Sequence, residues 1–302
     1  MNLMKYEIFC KAVELDSLTK AGERLNLTQS AVSHAIASLE RDIGLTLLRR
    51  NRSGVRLTNS GERLIGHFRE MLQAREKLEQ EIAAIKGVER GSVTIGTFSS
   101  VSIHWLPGIL KLFRERHPLI EVKLMDGNYD EIERSIASGV CDFGFVNLPV
   151  SEALQTVPLH KDRMVCLLPP GHPLCREPLI RIEQLVNEPF IMPIAGCDND
   201  VLRIFSRYKL APAIRYELED DQAIVAMVRN GFGISILPEL ILTGLPGDFC
   251  IRPLEGEHHR TIGLAAVSFR DNSPAAKKMT ACVEQWVADY GRASESGMDA
   301  ER

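Results

Sequence analysis

Between residues 28 and 34 the chain reads TQSAVSH, a run of small polar side chains at helical spacing. Thr28 is of the type that caps a helix, and Gln29, Ser30, Ser33 and His34 fall largely on one face behind it. Ala31, Val32, Ala35, Ile36 and Leu39 repeat along the opposite face and form an apolar stripe. Side chains that are short, or that hydrogen-bond, meet the needs of base edges in a major groove. Four arginines follow, Arg49, Arg50, Arg52 and Arg56, and arginine grips backbone phosphate without reading sequence. The competing reading is an ordinary helical hairpin with a polar outer face. A third set is neutral: Ser99, Ser100 and Ser102, Asn128, Asn147, Cys197 and Asn199 each lie where a strand ends or a helix begins. Taken singly, each Ser or Asn of this set is a helix cap. Taken together they mark a pocket, because ligands of open α/β sheets bind at the carboxyl ends of the strands.

Elements that could position these groups are legible in the pattern. Leu3, Tyr6, Ile8, Phe9, Ala12 and Val13 predict a first helix. Residues 17–40 predict a helix-turn-helix, with Asn26 tolerating a left-handed turn. After Gly44, a short hairpin with its tip at Arg52-Ser53-Gly54 has the form of a wing. Residues 60–86 predict one helix of roughly 40 Å. On it Leu64, Phe68, Met71, Arg75, Leu78, Ile82 and Ile85 form a heptad seam with one polar interruption, the pattern of a dimeric coiled coil. From residue 92 strands and helices alternate, which predicts a mostly parallel, doubly wound sheet. Its elements are a strand at 92–98, one helix at 99–118, strands at 120–127 and 141–147, and a helix at 128–139. A second series follows from 163. The chain is expected to cross between two lobes near 148–163 and 264–269, with a C-terminal helix at 273–290 and a disordered polar tail.

Composition sets outer bounds. The 302 residues are 45% hydrophobic and 25% charged, as in soluble globular proteins of two or three domains. The net charge of −4 argues against a nucleic-acid binder as a whole. Its distribution does not: residues 1–60 hold nine Lys and Arg against six Asp and Glu, a net +3 that leaves −7 for the rest. Seven scattered cysteines include no CxxC pair, so neither a disulfide framework nor a zinc site is expected. No apolar run is long enough to span a membrane, and acidic residues interrupt the N-terminal stretch, so no signal peptide is read and the cytoplasm is the expected location.

The motifs LTKAGERLNLTQSAVSHAIASLERDIGLTLLRR and VRLTNSGERL, followed by GVCDFGFVN, PPGHPL and VRNGFGISILP, resemble the LysR-type transcriptional regulators. The likeness runs from residue 1 to about 290. Gly22 stands where that family usually has Ala, and Leu48 where Phe is common. The resemblance implies a winged helix-turn-helix head at 1–58 and a dimerising linker helix at 59–88. It also implies a two-lobed α/β effector-binding domain at 89–291, similar to periplasmic binding proteins, with a tail at 292–302. Lobe I would be about 91–160 with 267–291, and lobe II about 161–266. Thr28, Gln29, Ser30, Ser33 and His34 match groove-facing positions, and Arg49, Arg50, Arg52 and Arg56 match wing and backbone positions. Partners implied are double-stranded DNA at an interrupted palindrome, a small-molecule effector, further copies in a homodimer or homotetramer, and RNA polymerase. No cofactor, metal or membrane enters this reading.

Asp198, Asp200, Glu219, Asp220 and Asp221 put an acidic rim on the second lobe, which gives a cationic or zwitterionic effector equal weight with an anion. Their plainer role is helix-start acids serving the dipole. Cys197 could sense redox, though no basic residue flanks it, and His258-His259 reads as a solvated pair. An enzyme would need a nucleophile-base pair or cofactor loop, and no GxGxxG, GxxxxGK[ST] or GxSxG motif stands at a strand–helix junction. The alternatives are an effector-independent DNA-binding regulator and, with less support, a small-molecule binding protein or enzyme with a fused DNA-binding head.

Overall fold

The computed structural model describes residues 2–51, 54–194, 196 and 198–298. They form two compact units whose main boundary falls between Gly91 and Ser92. Arg52 and Cys197 lie outside the described residues.

The first unit begins with helix α1 (Leu3–Glu14), α2 (Leu18–Leu25) and α3 (Gln29–Ile43). Asn26 takes the left-handed conformation at φ 55, as expected of a sharp helix-to-helix turn. Leu27 sits in that turn rather than in α2 and is 36% exposed. The core joins Tyr6, Ile8, Phe9 and Ala12 of α1 to Val32, Ile36 and Leu39 of α3. Ala31, expected on that apolar stripe, is exposed instead. Strands β1 (Leu48–Asn51) and β2 (Gly54–Leu57) pair antiparallel, and helix α4 (Asn59–Ile85) follows, capped by Thr58 Oγ1 at 3.0 Å from the Gly61 N–H. The expected seam of α4 divides in two. Phe68 packs edge-on against Tyr6 at 4.8 Å and Phe9 at 5.5 Å, within its own head. Leu78, Ile82 and Ile85 are left 60%, 43% and 85% exposed.

The second unit opens with β3 (Gly91–Thr97), α5 (Ser99–His104), α6 (Leu106–Arg116), β4 (Ile120–Asp126), α7 (Tyr129–Ala137) and β5 (Phe143–Leu148). The single helix expected over 99–118 is broken at Trp105, because Pro107 begins a new helix and cannot continue the old one. Strand β6 (Gln155–Leu168) leads into a second lobe. That lobe contains β7 (Pro189–Pro193), α8 (Asp198–Arg207), β8 (Ala213–Leu218), α9 (Asp221–Arg229), β9 (Ser235–Pro238), α10 (Glu239–Leu242) and β10 (Cys250–Pro253). Strand β11 (His259–Ala266) and helix α11 (Pro274–Met298) complete the chain.

The main sheet runs β10-β6-β11-β5-β3-β4, with β9 also on β6. It is mixed rather than mostly parallel: β3 and β5 are parallel, but β6, β9, β10 and β11 pair antiparallel, and β7 and β8 form a separate parallel pair. The first crossover is not an extended connection but the body of β6, which pairs with β11 up to Arg163 and with β9 and β10 from Met164. Pro158 is accommodated inside this strand because a bulge interrupts the ladder between Ile262 and Gly263. The return crossover runs through 254–260 into the start of β11, and not at 264–269: residues Thr261–Ala265 are already paired with β5 in the first lobe. The expected disordered tail is helical to Met298, and Arg292 carries the helix on through Asp289, 2.5 Å away, and the Ala288 carbonyl.

Candidate functional site

Two sites emerge, one in each unit. In the first, Thr28 Oγ1 accepts the Ala31 N–H at 3.1 Å and so fixes the start of α3. Gln29, Ser30 and His34 are exposed along its outer face with Thr28, and Ser33 is half-buried. At the far end of α3, Glu40 Oε1 accepts from the Leu47 and Leu48 N–H groups at 2.7 and 3.1 Å, which ties β1 to this helix. In the β hairpin Arg49 and Arg56 are directly opposed and both exposed. Like charges facing each other across a strand pair repel, and an anion between them removes that cost. Arg50 lies opposite Val55 in the register, and Arg52 falls outside the described residues.

The hairpin is held by a residue that sequence reasoning missed. Asp16, in a left-handed corner at φ 46, accepts the Val55 N–H through Oδ1 at 2.8 Å. A Cβ on Gly54, at φ +136, would stand 2.6 Å from the Asp16 carbonyl oxygen, so only glycine allows this approach. The signal available was an acid in the α1–α2 corner, with nothing local to mark its partner 39 residues on.

In the second unit a cavity of about 470 Å³ opens between the lobes. Ser99, Ser100 and Asn128 line it, as expected. Asn128 is also a cap: its Oδ1 accepts the Glu131 N–H at 3.0 Å, and its own N–H donates to Glu131 Oε2 at 3.1 Å. Ser102 stands back from the wall, with its hydroxyl 3.1 Å from Thr97 Oγ1 and 3.3 Å from Asp126 Oδ1. Asn147 and Asn199 do not join the others. They line a separate recess of about 320 Å³ with Asp200 and Arg203. There Asn147 Nδ2 donates to Asp200 Oδ2 at 2.7 Å, and Asp200 pairs closely with Arg203. The expected single cluster is therefore two, and Tyr129 borders both.

The floor of the larger cavity holds a buried ion pair that the sequence did not disclose. Arg260 and Asp162 are 1% and 3% exposed and directly opposed in the β11–β6 register. Arg260 donates through Nε and Nη2 to Asp162 Oδ2 at 2.8 and 2.7 Å. Its Nη2 also donates to Ser100 Oγ at 2.7 Å, its Nη1 donates to the Tyr129 hydroxyl, and its guanidinium lies 5.3 Å from the Phe98 ring centroid. The other Asp162 oxygen accepts the Leu240 N–H at 3.0 Å. A charge pair removed from water persists only when both partners are satisfied in this way.

Glu219, Asp220 and Asp221 form one wall, and Asp126 and Glu131 lie on the other. Asp220 caps α9, accepting from Gln222 and Ala223. Burial pushes the Asp221 carboxyl up from 3.8 to about 6, against the Arg260 charge and with the help of Asp220. Asp198 and Asp200, expected on the same rim, serve the smaller recess and its loop, where Asp198 Oδ1 accepts the Gly196 N–H at 3.0 Å. His258 is not solvated: it is 6% exposed, lies 2.9 Å from the Glu255 carbonyl oxygen, and burial lowers its pKa. Among the described residues no three His, Cys, Asp or Glu side chains gather as a metal site requires, and no helix is long and apolar enough to cross a membrane.

Residues 3–62 match the family model for the bacterial regulatory helix-turn-helix proteins of the lysR family, and residues 86–288 match that for the LysR substrate binding domain. The HTH-type transcriptional regulator YvbU of Bacillus subtilis is 33% identical over 92% of this chain and 96% of its own length. A full-length variant of OxyR from Pseudomonas aeruginosa superposes with a TM-score of 0.71 at 20% identity, covering 95% of this chain and 97% of that one. Full-length CbnR complexed with its target DNA superposes with a TM-score of 0.57 at 20% identity, covering 95% and 100%.

Proposed function

Because the chain belongs to the LysR family of transcriptional regulators, we propose that it reads an operator through Gln29, Ser30, Ser33 and His34 and answers to a small molecule in the cleft over Arg260. The observation that carries this reading is the pairing of an exposed polar face on α3 with a wing that opposes Arg49 to Arg56. Such a pair is repulsive until a phosphate sits on it, whereas the α3 face offers hydrogen bonds that discriminate among bases. Thr28, Arg50 and Arg52 complete the proposed contact set. In the cleft, Ser99, Ser100 and Asn128 are the proposed first contacts of the effector, and Ser102 supports Asp126 behind them. Asn147 and Asn199 belong to the neighbouring recess, and Cys197 lies outside the described residues.

Further copies assemble through the exposed half of α4, as a dimer or a pair of dimers on an interrupted palindrome. The protein acts in the cytoplasm, where the bound effector alters its engagement with RNA polymerase. Domain limits of 1–58, 59–88 and 89–291 fit these three tasks.

The test separates reading from gripping. An operator is first selected from randomised duplexes. Gln29→Ala is expected to cost about 1–3 kcal/mol on it and to leave random duplex binding unchanged. Arg56→Ala is expected to weaken both alike and to make the salt dependence shallower. Equal loss on selected and random duplex for Gln29→Ala would remove Gln29 from the readout. An operator affinity that no metabolite alters, in a chain whose melting point no metabolite raises, would favour a regulator without an effector.

A further inference from the structure

Resting on the cleft as the effector site, we propose that the effector is a small organic cation, whose protonated amine or amidinium seats on the Asp221 carboxylate and whose apolar part lies against Phe98 and Ile241.

The charge balance of the cleft supports this assignment. Asp126 and Glu131 face the cavity from one lobe, and Glu219, Asp220 and Asp221 face it from the other. Arg260 is the sole cationic side chain among the described residues that line it. Its charge is already answered by Asp162, and its donors already serve Asp162, Ser100 and Tyr129. A carboxylate ligand would have to compete with that buried network while approaching five like charges. A cation meets the opposite field.

The acids themselves are not equivalent. Glu131 and Asp220 accept backbone N–H groups at helix starts, and Asp126 accepts the Ser102 hydroxyl. Among the described residues the carboxyls of Glu219 and Asp221 have no hydrogen-bond or ion-pair partner, and of the two Glu219 is exposed while Asp221 is half-buried. It is the acid whose ionisation the fold disfavours, and a ligand ammonium would restore the lost solvation. Chelation of a metal ion is the rival occupant of an acidic cleft, but no three carboxylates here come close enough to share one. Because acids stand on both walls, a cation between them also offsets a mutual repulsion that grows as the walls approach. It therefore binds the closed form better than the open one.

The experiment uses the full-length protein and matched probes of opposite charge: benzamidine against benzoate, and putrescine against succinate. Melting point and titration calorimetry are the readouts. The expected result is that the cations raise the melting point and their carboxylate counterparts do not. Asp221→Asn is expected to weaken the cation by at least about tenfold, while Glu152→Gln, an equal charge change on an exposed loop, leaves it unchanged. Stabilisation by the carboxylates alone, or cation binding that survives Asp221→Asn, overturns the proposal, as does silence from both series. A carboxylate response lost in Ser100→Ala would keep the cleft as the effector site while reversing its charge preference. A response indifferent to both Ser100→Ala and Asp221→Asn would overturn the cleft reading too.

Discussion

Asp221 illustrates how one residue can cost stability where it is needed for a ligand. Its folded carboxyl titrates near 6 against an ordinary 3.8, so the folded chain holds this proton more tightly than the unfolded one. The group therefore favours folding least above pH 6, and its penalty fades as pH falls toward 3.8. Asp221→Asn is expected to raise stability at pH 8 by about 1–2 kcal/mol, taken low because the carboxyl borders an open cavity, and to give no gain near pH 4. Melting curves at the two pH values check this. Two glycines make a matched pair at the same scale. A Cβ at Gly66, inside α4, would meet nothing, so Gly66→Ala is expected to stabilise the head by about 0.5–1 kcal/mol. At Gly22 the same gain in helix propensity is opposed by a Cβ 2.7 Å from the Leu27 carbonyl oxygen. Gly22→Ala is expected to lower the melting point, reversing the slight weakening of α2 that propensity alone assigns to this glycine. The polar face of α3 was legible because its residues are neighbours on one helix. Arg260 and Asp162 were not, because they stand 98 positions apart and each looks unremarkable in its own strand.

Among the elements, α4 does two jobs with one seam. Its first half is committed to the core of the head through Phe68, Ile65 and Leu64. Its second half exposes Leu78, Ile82 and Ile85, an apolar row that water disfavours and a second helix would cover. Leu78→Asp is expected to leave the melting of the head unchanged, because that side chain is 60% exposed, and to convert dimer to monomer with loss of operator binding. Light scattering and a binding titration are the measurements, and a variant that stays dimeric would place the main contact elsewhere. The heptad spacing made the seam visible in the sequence, but period alone does not say which partner covers each turn. Similarly, a second series from 163 was visible while the start of its first strand at Gln155 was not, since Pro158 lies inside that strand and proline rarely sits within a ladder. Pro107 was visible too, yet the apolar spacing on either side of it outweighed its meaning as a helix start.

At the scale of the whole effector-binding unit, two lobes with a cleft were legible from alternating strands and helices, but the first crossover is made of strand β6 and the return one, expected near 264–269, comes before Thr261. A crossover made of strand has no turn residues to announce it. The consequence lies in where the buried pair stands. Arg260 and Asp162 face each other in register at the level where β6 leaves β11 for β9 and β10, so a closure of the lobes about this crossing would have the floor of the cleft as its fulcrum. Force applied at a fulcrum turns nothing, whereas force at the rim has a lever arm. Occupancy and efficacy should then be set by different atoms of a ligand. A short amine that seats on Asp221 without reaching across to the opposite acidic wall is expected to act as a competitive antagonist. Its longer homologues, spanning from Asp221 to Glu131, are expected to act as agonists. Along a series of diamines of increasing length, binding measured by displacement and response measured by transcription in vitro are expected to separate. A response that simply follows occupancy through the whole series would show that the lobes do not work as a lever.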